Sequence, residues 1–396
     1  MRVLFVSNLF PDTTQPWRGL DNVTLLQAMR ALRPEANIRV LCLRPGHRFW
    51  LGGACPLQPR PGDEGFLPTY HWAPYLPRFG GLNDRFFKLA LRRALKSLPA
   101  DWQPDALLVP WLFPDASGVH RCQEMHRVPM VAVAQGSDVH RYLEMPLRRR
   151  AILKLATRAE IVTRSEDLRQ RLIKAGAKAA SVHTVYNGVH TDIFHPGDKS
   201  AARRALNLPE EGRMALFVGN FLPVKGLDLL IQACALAKSR LSQPFHLVLI
   251  GSGPLEAELV TLAETCGLGR DHLILAGRKA PADVAQFMRA ADAVCLSSHN
   301  EGVPNVLLEA LASGRPLVST NVGGIAEILN PSPGGGVLLS DRSPSHYAEG
   351  LLQALTNPPD PQLLSACAAQ YSWERCASIY WGFLDSAPSS AINARL

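Results

Sequence analysis

Short apolar runs that alternate with helical patterns from one end of the chain to the other constrain this fold most. Strands are predicted over residues 3–7, 38–43, 106–110, 130–134, 161–164 and 183–186. A second series is predicted over 215–219, 246–250, 273–276, 293–297, 316–320 and 336–339. Nearly continuous apolar strands separated by helices are buried on both faces, which means parallel sheets. The class is therefore α/β, with two doubly wound, Rossmann-like domains. A length of 396 residues suits two domains. The seam is expected at His195-Pro196-Gly197-Asp198-Lys199, giving domains over 1–195 and 196–370. Residues 45–81, rich in proline and glycine and poor in period, read as a long loop or insertion. The last residues, 387–396, read as a disordered tail.

Composition excludes several classes. Hydrophobic residues at 47% and charged residues at 19% rule out global disorder. No run reaches the ~18 apolar residues of a membrane span, and the apolar start is too short for a signal peptide. Eight scattered cysteines without a C-x-x-C pair fit reduced, buried thiols, and the chain reads as cytoplasmic. The net charge of +8 is uneven: 27 Lys and Arg face 16 Asp and Glu in residues 1–195, against 15 and 18 in 196–396. Over 82–98 the bases Arg85, Lys88, Arg92, Arg93 and Lys96 interleave with Phe86, Phe87, Leu89 and Leu91. An amphipathic basic helix of this kind can lie on an anionic membrane surface. Nucleic acid is not expected, because no recognition motif accompanies the charge.

Ligands of open parallel sheets bind at the carboxyl ends of strands, so the loops there carry the function. In the second half, Asn220 opens a loop that leads to Lys225-Gly226 and a helix start, a place suited to phosphate. Gly251-Ser252-Gly253-Pro254 is a tight turn after the next strand. Ser298-His299-Asn300-Glu301-Gly302-Val303-Pro304-Asn305-Val306 closes a strand and opens a helix carrying Glu309. Eight positions of helix would separate Glu301 and Glu309 by ~12 Å, beyond the ~5–9.5 Å of a hydrolase carboxylate pair. That spacing suits two hydroxyl-bearing parts of one extended ligand with phosphates between them. Gly302 lets a ligand approach closely. A second glycine loop, Val322-Gly323-Gly324 followed by Glu327, lies at the same edge.

Together these motifs resemble the nucleotide-sugar-binding half of the family 4 retaining glycosyltransferases, which share the GT-B architecture of two facing Rossmann-like domains with a cleft between them. The E-G, second Glu, A-x-G-x-P and V-G-G-x-x-E pattern matches Glu301 through Glu327. Gly136-Ser137-Asp138 and Tyr186-Asn187-Gly188-Val189 match more sparsely in the first half. The resemblance implies that Glu301 contacts the donor sugar, Glu309 the ribose, Lys225 and the backbone at Asn305-Val306 the diphosphate, and Arg278 the base. It implies retention of configuration without metal or other cofactor, and the chain has no D-x-D motif. It makes Glu301, Lys225 and Asp138 the catalytic candidates. Asn220, Gly253, Gly302 and the residues just named become donor contacts. Gly19, Asp21, Gln135 and Asn187 fall on the sugar or acceptor side. Residues 371–386 would form the helix that crosses back to the first domain.

Two departures stand out. Asn220 occupies the place of a common family arginine, which removes a bidentate phosphate clamp. Gln135 replaces a common histidine and cannot take a proton at neutral pH. The expected function is therefore sugar transfer from a nucleotide sugar to a glycan or lipid-linked acceptor in cell-surface polysaccharide synthesis. The expected place is the cytoplasm or the inner face of the membrane. A non-catalytic nucleotide-sugar binder is the alternative that these two departures leave open.

Overall fold

A computed structural model describes residues 1–46, 55–77, 80–332 and 334–386. The expected tail, 387–396, lies outside the described residues. The chain divides into two compact units, one formed by Met1–Asn187 with the chain from Trp373 onward, the other by Gly188–Ser372.

In the first unit, seven parallel strands are β1 (Arg2–Ser7), β2 (Asn37–Pro45), β3 (Thr69–Ala73), β4 (Ala106–Pro110), β5 (Met130–Ala134), β6 (Glu160–Thr163) and β7 (Val182–Thr184). Their order is β3-β2-β1-β4-β5-β6-β7, so the direction of winding reverses between β1 and β4. Apolar side chains on the two sheet faces form separate cores, one around Leu4, Leu107 and Ile152, the other around Phe5, Leu26 and Trp381. Burial on both faces explains why these strands read as apolar runs rather than alternating ones.

In the second unit, six parallel strands are β8 (Arg213–Val218), β9 (Phe245–Ile250), β10 (Leu273–Gly277), β11 (Ala293–Leu296), β12 (Leu317–Thr320) and β13 (Gly336–Leu339). The order is β10-β9-β8-β11-β12-β13, with the reversal between β8 and β11. The start of both strands is tied to one buried carboxylate. Asp292 takes the Arg203 guanidinium at 2.8 Å and the Met214 backbone N–H at 2.8 Å.

Three expectations need correction or completion. Residues 45–81 are not a plain loop, since β3 lies within them. Its pattern, TYHWA, buries only Tyr70 and Ala73 and pairs only with β2 at the sheet edge, so it lacks a continuous apolar run. By packing, the second unit begins at Gly188, so it takes in the residues just ahead of the expected seam at His195. Arg289 holds the intervening segment by bonding the carbonyls of Ile193 at 2.7 Å and His195 at 3.2 Å. Finally, the C-terminal helix Trp373–Ser386 belongs to the first unit, packed on the helix Leu20–Leu32. Trp381 donates its indole N–H to the Met29 carbonyl at 2.9 Å, and Arg33 pairs with Asp385 at 2.6 Å.

Candidate active site

In the second unit the loops after β8, β9, β11 and β12 meet at the carboxyl edge. The winding reversal between β8 and β11 opens a crevice there, the place where such sheets bind ligands. Lys225 ends a short 3-10 turn, Pro223–Lys225, and Gly226 then turns left-handed at φ 58° into the helix Leu227–Arg240. A Cβ at Gly226 would lie 2.3 Å from the Ser297 carbonyl oxygen, so the two loops touch through bare backbone. Ser297 Oγ donates to the Lys225 carbonyl at 2.9 Å, and the His299 N–H to the Val224 carbonyl at 2.8 Å. Arg342, which sequence reading did not single out, braces the loop after β11 by donating to the carbonyls of Ser297 and Ser298 at 2.9 and 2.7 Å. It stands isolated in the sequence, outside any motif.

This bracing brings two expected residues together. Lys225 Nζ lies 2.6 Å from Glu301 Oε1, and Ser298 Oγ donates to the same oxygen at 2.6 Å. The Glu301 side chain keeps 10% of its surface exposed and that of Lys225 24%, so the ion pair is largely shielded from water. Gly302 accepts a bond from the Gly324 N–H at 2.9 Å, which joins the two glycine loops. The helix Asn305–Ala312 then starts after Pro304, which supplies no side-chain cap. Its Glu309 is partly buried, and among the described residues no side chain or backbone N–H donates to its carboxyl. Burial alone pushes that carboxyl up to about 7. Arg278 reaches the turn after β9 by donating to Ser252 Oγ at 2.6 Å. Gly253 presses on the Phe221 carbonyl, 2.3 Å from where a Cβ would sit, and Asn220 is exposed at the loop start.

In the first unit the reversal between β1 and β4 carries a second site. A pocket of about 290 Å³ is lined by Arg18, Tyr75, Trp111, Asp115 and Tyr142, among others. Trp111 directly follows β4 with φ 78° and ψ 104°, a strained conformation for a bulky residue and one that concentrates at functional sites. Its ring meets Tyr142 edge-on at 6.4 Å. Asp115 accepts bonds from Ser7 Oγ at 2.9 Å and the Asn8 N–H at 2.8 Å, yet burial still raises its carboxyl to about 7. Arg18 donates to the Asn8 carbonyl at 3.0 Å and the Asn8 side-chain oxygen at 2.6 Å. The sequence signal for Trp111 and Asp115 was available, because both follow a predicted strand end.

The other first-unit candidates lie nearby in different roles. Asp138, expected to act on substrate, is fully buried. It accepts the backbone N–H groups of Leu112, Gln135 and Gly136 at 3.0, 3.0 and 2.8 Å. It holds the loop after β5 against the loop after β4, and burial raises its carboxyl to about 6. Gln135 donates to Asn22 at 3.3 Å, and Gly19 turns left-handed against the Leu9 carbonyl. Asp21 lies in the first turn of Leu20–Leu32, and Asn187 is buried at 6% exposure. Among the described residues no three His, Cys, Asp or Glu side chains gather as metal ligands would, and no helix is long and apolar enough to cross a membrane.

Residues 198–370 match the family described as Glycosyl transferases group 1, and residues 23–193 match Glycosyltransferase Family 4. A D-inositol 3-phosphate glycosyltransferase of Acidothermus cellulolyticus is 31% identical over 360 residues, 86% of this chain and 75% of that protein. The chain belongs to the family 4 glycosyltransferases. Enzymes of the same name from Mycobacterium tuberculosis are 31% identical over 65% of the chain, but the match spans only 54% of their own length. Among solved structures, the UDP complex of HepE from Anabaena aligns over 98% of this glycosyltransferase with TM-score 0.73 and 19% identity. Sucrose-phosphate synthase from Thermosynechococcus elongatus aligns over 97% with TM-score 0.77 and 18% identity. Both likenesses concern the fold, and with the two parallel sheets they give this glycosyltransferase the GT-B architecture.

Proposed function

We propose that this glycosyltransferase moves a sugar, with retention of configuration and without a metal, from a nucleoside-diphosphate sugar to a glycan or lipid-linked acceptor. We place that transfer in the cytoplasmic assembly of cell-surface polysaccharide. The observation that carries the donor reading is the Lys225–Glu301 pair, together with Glu309, a carboxyl that no donor among the described residues reaches, on the loops and helix that follow β8 and β11 at the winding reversal of the second sheet. A ligand with a diphosphate and two sets of hydroxyls satisfies all three groups. Its diphosphate takes the ammonium, its sugar hydroxyls replace Lys225 on Glu301, and its ribose hydroxyls donate to Glu309. As the glycosidic bond to phosphate breaks, negative charge grows on the diphosphate. Lys225 and the N-terminal end of the helix at Asn305-Val306 oppose that charge with dipoles already in place. Arg278, held by Ser252, lies on the base side. Transfer needs no protein cofactor in this scheme.

The test is a thermal-shift panel of UDP-, GDP-, ADP- and dTDP-sugars without added metal, on the parent and on Glu309→Ala. A ligand bound only by the folded state must raise the midpoint. One nucleotide class should do so in the parent and fail in the variant. Silence across the panel, with both proteins folded, would remove the donor assignment.

Glu309 also gives a pH signature. Its folded-state value near 7 lies above the usual carboxylate range. Between the two values the folded state binds a proton that the unfolded state has lost, so this group's contribution to stability falls as pH rises. Donor binding has the opposite sign, since ribose hydroxyls need the ionised acceptor. Donor affinity should rise as pH passes through about 7, and Glu309→Gln should flatten that rise; calorimetric titration at several pH values reads both.

The first-unit pocket is assigned to the acceptor. Trp111, Tyr75 and Tyr142 offer rings for a sugar face, and Arg18 offers a cation. Trp111→Ala should raise the acceptor KM about tenfold, the scale of one aromatic contact of ~1.5 kcal/mol, and leave the donor KM unchanged. Equal effects on both constants would count against the assignment.

A further inference from the structure

A groove of about 870 Å³ opens on the first unit, with none of its lining residues shared with the pocket at the β1–β4 reversal, between the helices Asn83–Ala94, Ser117–His120 and Pro146–Leu155. Its walls carry Arg85, Lys88, Arg92, Arg121, Lys154 and Arg158. Arg121 pairs with Asp84, the carboxylate in the lining, and Arg92 pairs with Glu124 at 2.6 Å. Among the described residues, Arg85, Lys88, Lys154 and Arg158 form no ion pair. Four uncompensated cations thus converge on one concavity. Its half-buried His120 responds to them: burial first, then Arg158, His126, Lys154 and Arg121, push the imidazole down to about 4, so it is neutral at physiological pH.

The inner faces of the same helices bury Phe87, Leu91, Ile152 and Leu155 in the core. The outward faces mix charge with unburied apolar groups: Leu89 is 38% exposed, Leu147 61%, and Phe86 lines the groove. A soluble anion would answer the charges but leave these apolar groups in water. A nucleic acid, too, would answer the charges and leave Leu89 and Leu147 in water. An anionic bilayer answers both features, with phosphate headgroups among the bases and acyl chains against Leu89 and Leu147.

We propose that this groove docks the first unit on a membrane surface by binding the phosphate headgroups of anionic lipids. The inference does not rest on the sugar-transfer reading. It concerns a surface that no donor residue touches, and it holds or fails whatever the donor is.

Vesicle flotation tests it on the full chain, with phosphatidylcholine vesicles alone and with added phosphatidylglycerol. The parent should float only with the anionic vesicles, and less so at high salt. Each base near such a surface contributes a factor of about five, the equivalent of ~1 kcal/mol. The triple variant Lys88→Gln, Lys154→Gln, Arg158→Gln should therefore bind roughly 100-fold more weakly. A charge-matched triple in the second unit, Arg204→Gln, Lys238→Gln, Arg270→Gln, should bind like the parent. Leu89→Ser should weaken binding with the charge unchanged. Melting curves establish that each variant is folded. Equal losses in the two triples would overturn the proposal, as would no binding by the parent. Binding of a single-stranded oligonucleotide through these bases, with vesicles ignored, would overturn it in favour of nucleic acid.

Discussion

Lys225→Ala is expected to lower kcat about 100- to 1,000-fold at saturating donor, the loss seen when one preorganised transition-state donor is removed. The effect should fall on kcat more than on donor KM. In the ligand-free protein the ammonium is already occupied, 2.6 Å from Glu301, so ground-state binding of the diphosphate must first break an existing pair. Interaction energy that merely replaces another contributes little to affinity. It contributes fully once charge develops on the leaving phosphate and the contact strengthens. Asn220 sharpens this expectation, because no guanidinium shares the load at that position. Lys225→Arg should recover only part of the rate, since the planar fork cannot occupy the place of a compact ammonium beside Ser298 and Glu301. Initial rates with a saturating donor and a melting curve for each variant decide the matter. A loss below tenfold in a folded Lys225→Ala protein would remove the lysine from the transition state.

Glu301→Gln makes the complementary test. It frees Lys225 from its partner without removing the hydrogen-bonding ability of the side chain. Affinity for the nucleoside diphosphate alone should rise several-fold while turnover falls, because the diphosphate no longer competes with a carboxylate. A parallel fall in both, read by calorimetry and rates, would mean that Glu301 does not compete with phosphate for the ammonium.

The sheets were legible in the sequence because both of their faces are covered. Strands such as Leu107-Leu108-Val109 and Leu247-Val248-Leu249 are short runs, apolar at successive positions and bounded by turn residues, as strands buried on both faces are. β3 was hidden for the opposite reason: an edge strand of mixed burial carries no such run. The donor loops were legible because backbone crowding requires glycine at Gly226, Gly253 and Gly323, and these punctuate the sequence. What the sequence could not carry was pairing across distance. That Lys225, 76 positions away, donates to Glu301 Oε1 follows from strand order, as does the meeting of Trp111 with Tyr142. Asp138 shows the converse: a motif match pointed to chemistry, while burial gives its oxygens to three backbone N–H groups.

The largest expected effect on stability lies far from any ligand. Arg203 has 1% of its side chain exposed and makes four contacts: Ala290, Glu210 and Gly212 carbonyls at 3.0, 2.8 and 3.1 Å, and Asp292 at 2.8 Å. Asp292→Ala leaves that guanidinium buried with no counter-charge and strips the Met214 N–H of its acceptor. Removing one partner of a buried ion pair costs about 3–5 kcal/mol. For a unit of this size that corresponds to a midpoint about 10 °C lower. Lys199 and Arg213, with 37% and 28% of their side chains exposed, also reach Asp292 but through water-screened contacts of small weight. If the cost is that of an orphaned charge, removing the charge should cancel much of it. The double variant Asp292→Leu, Arg203→Met should then melt closer to the parent than Asp292→Ala does, and calorimetry of the three proteins decides between an orphaned charge and simple loss of packing. The same carboxylate sets register for the donor site. Through Met214 and the residue that follows it, Asp292 fixes the starts of β8 and β11, whose far ends carry Lys225 and Glu301. Any Asp292→Ala protein that remains folded should therefore show a weakened donor response as well, although Asp292 touches neither residue.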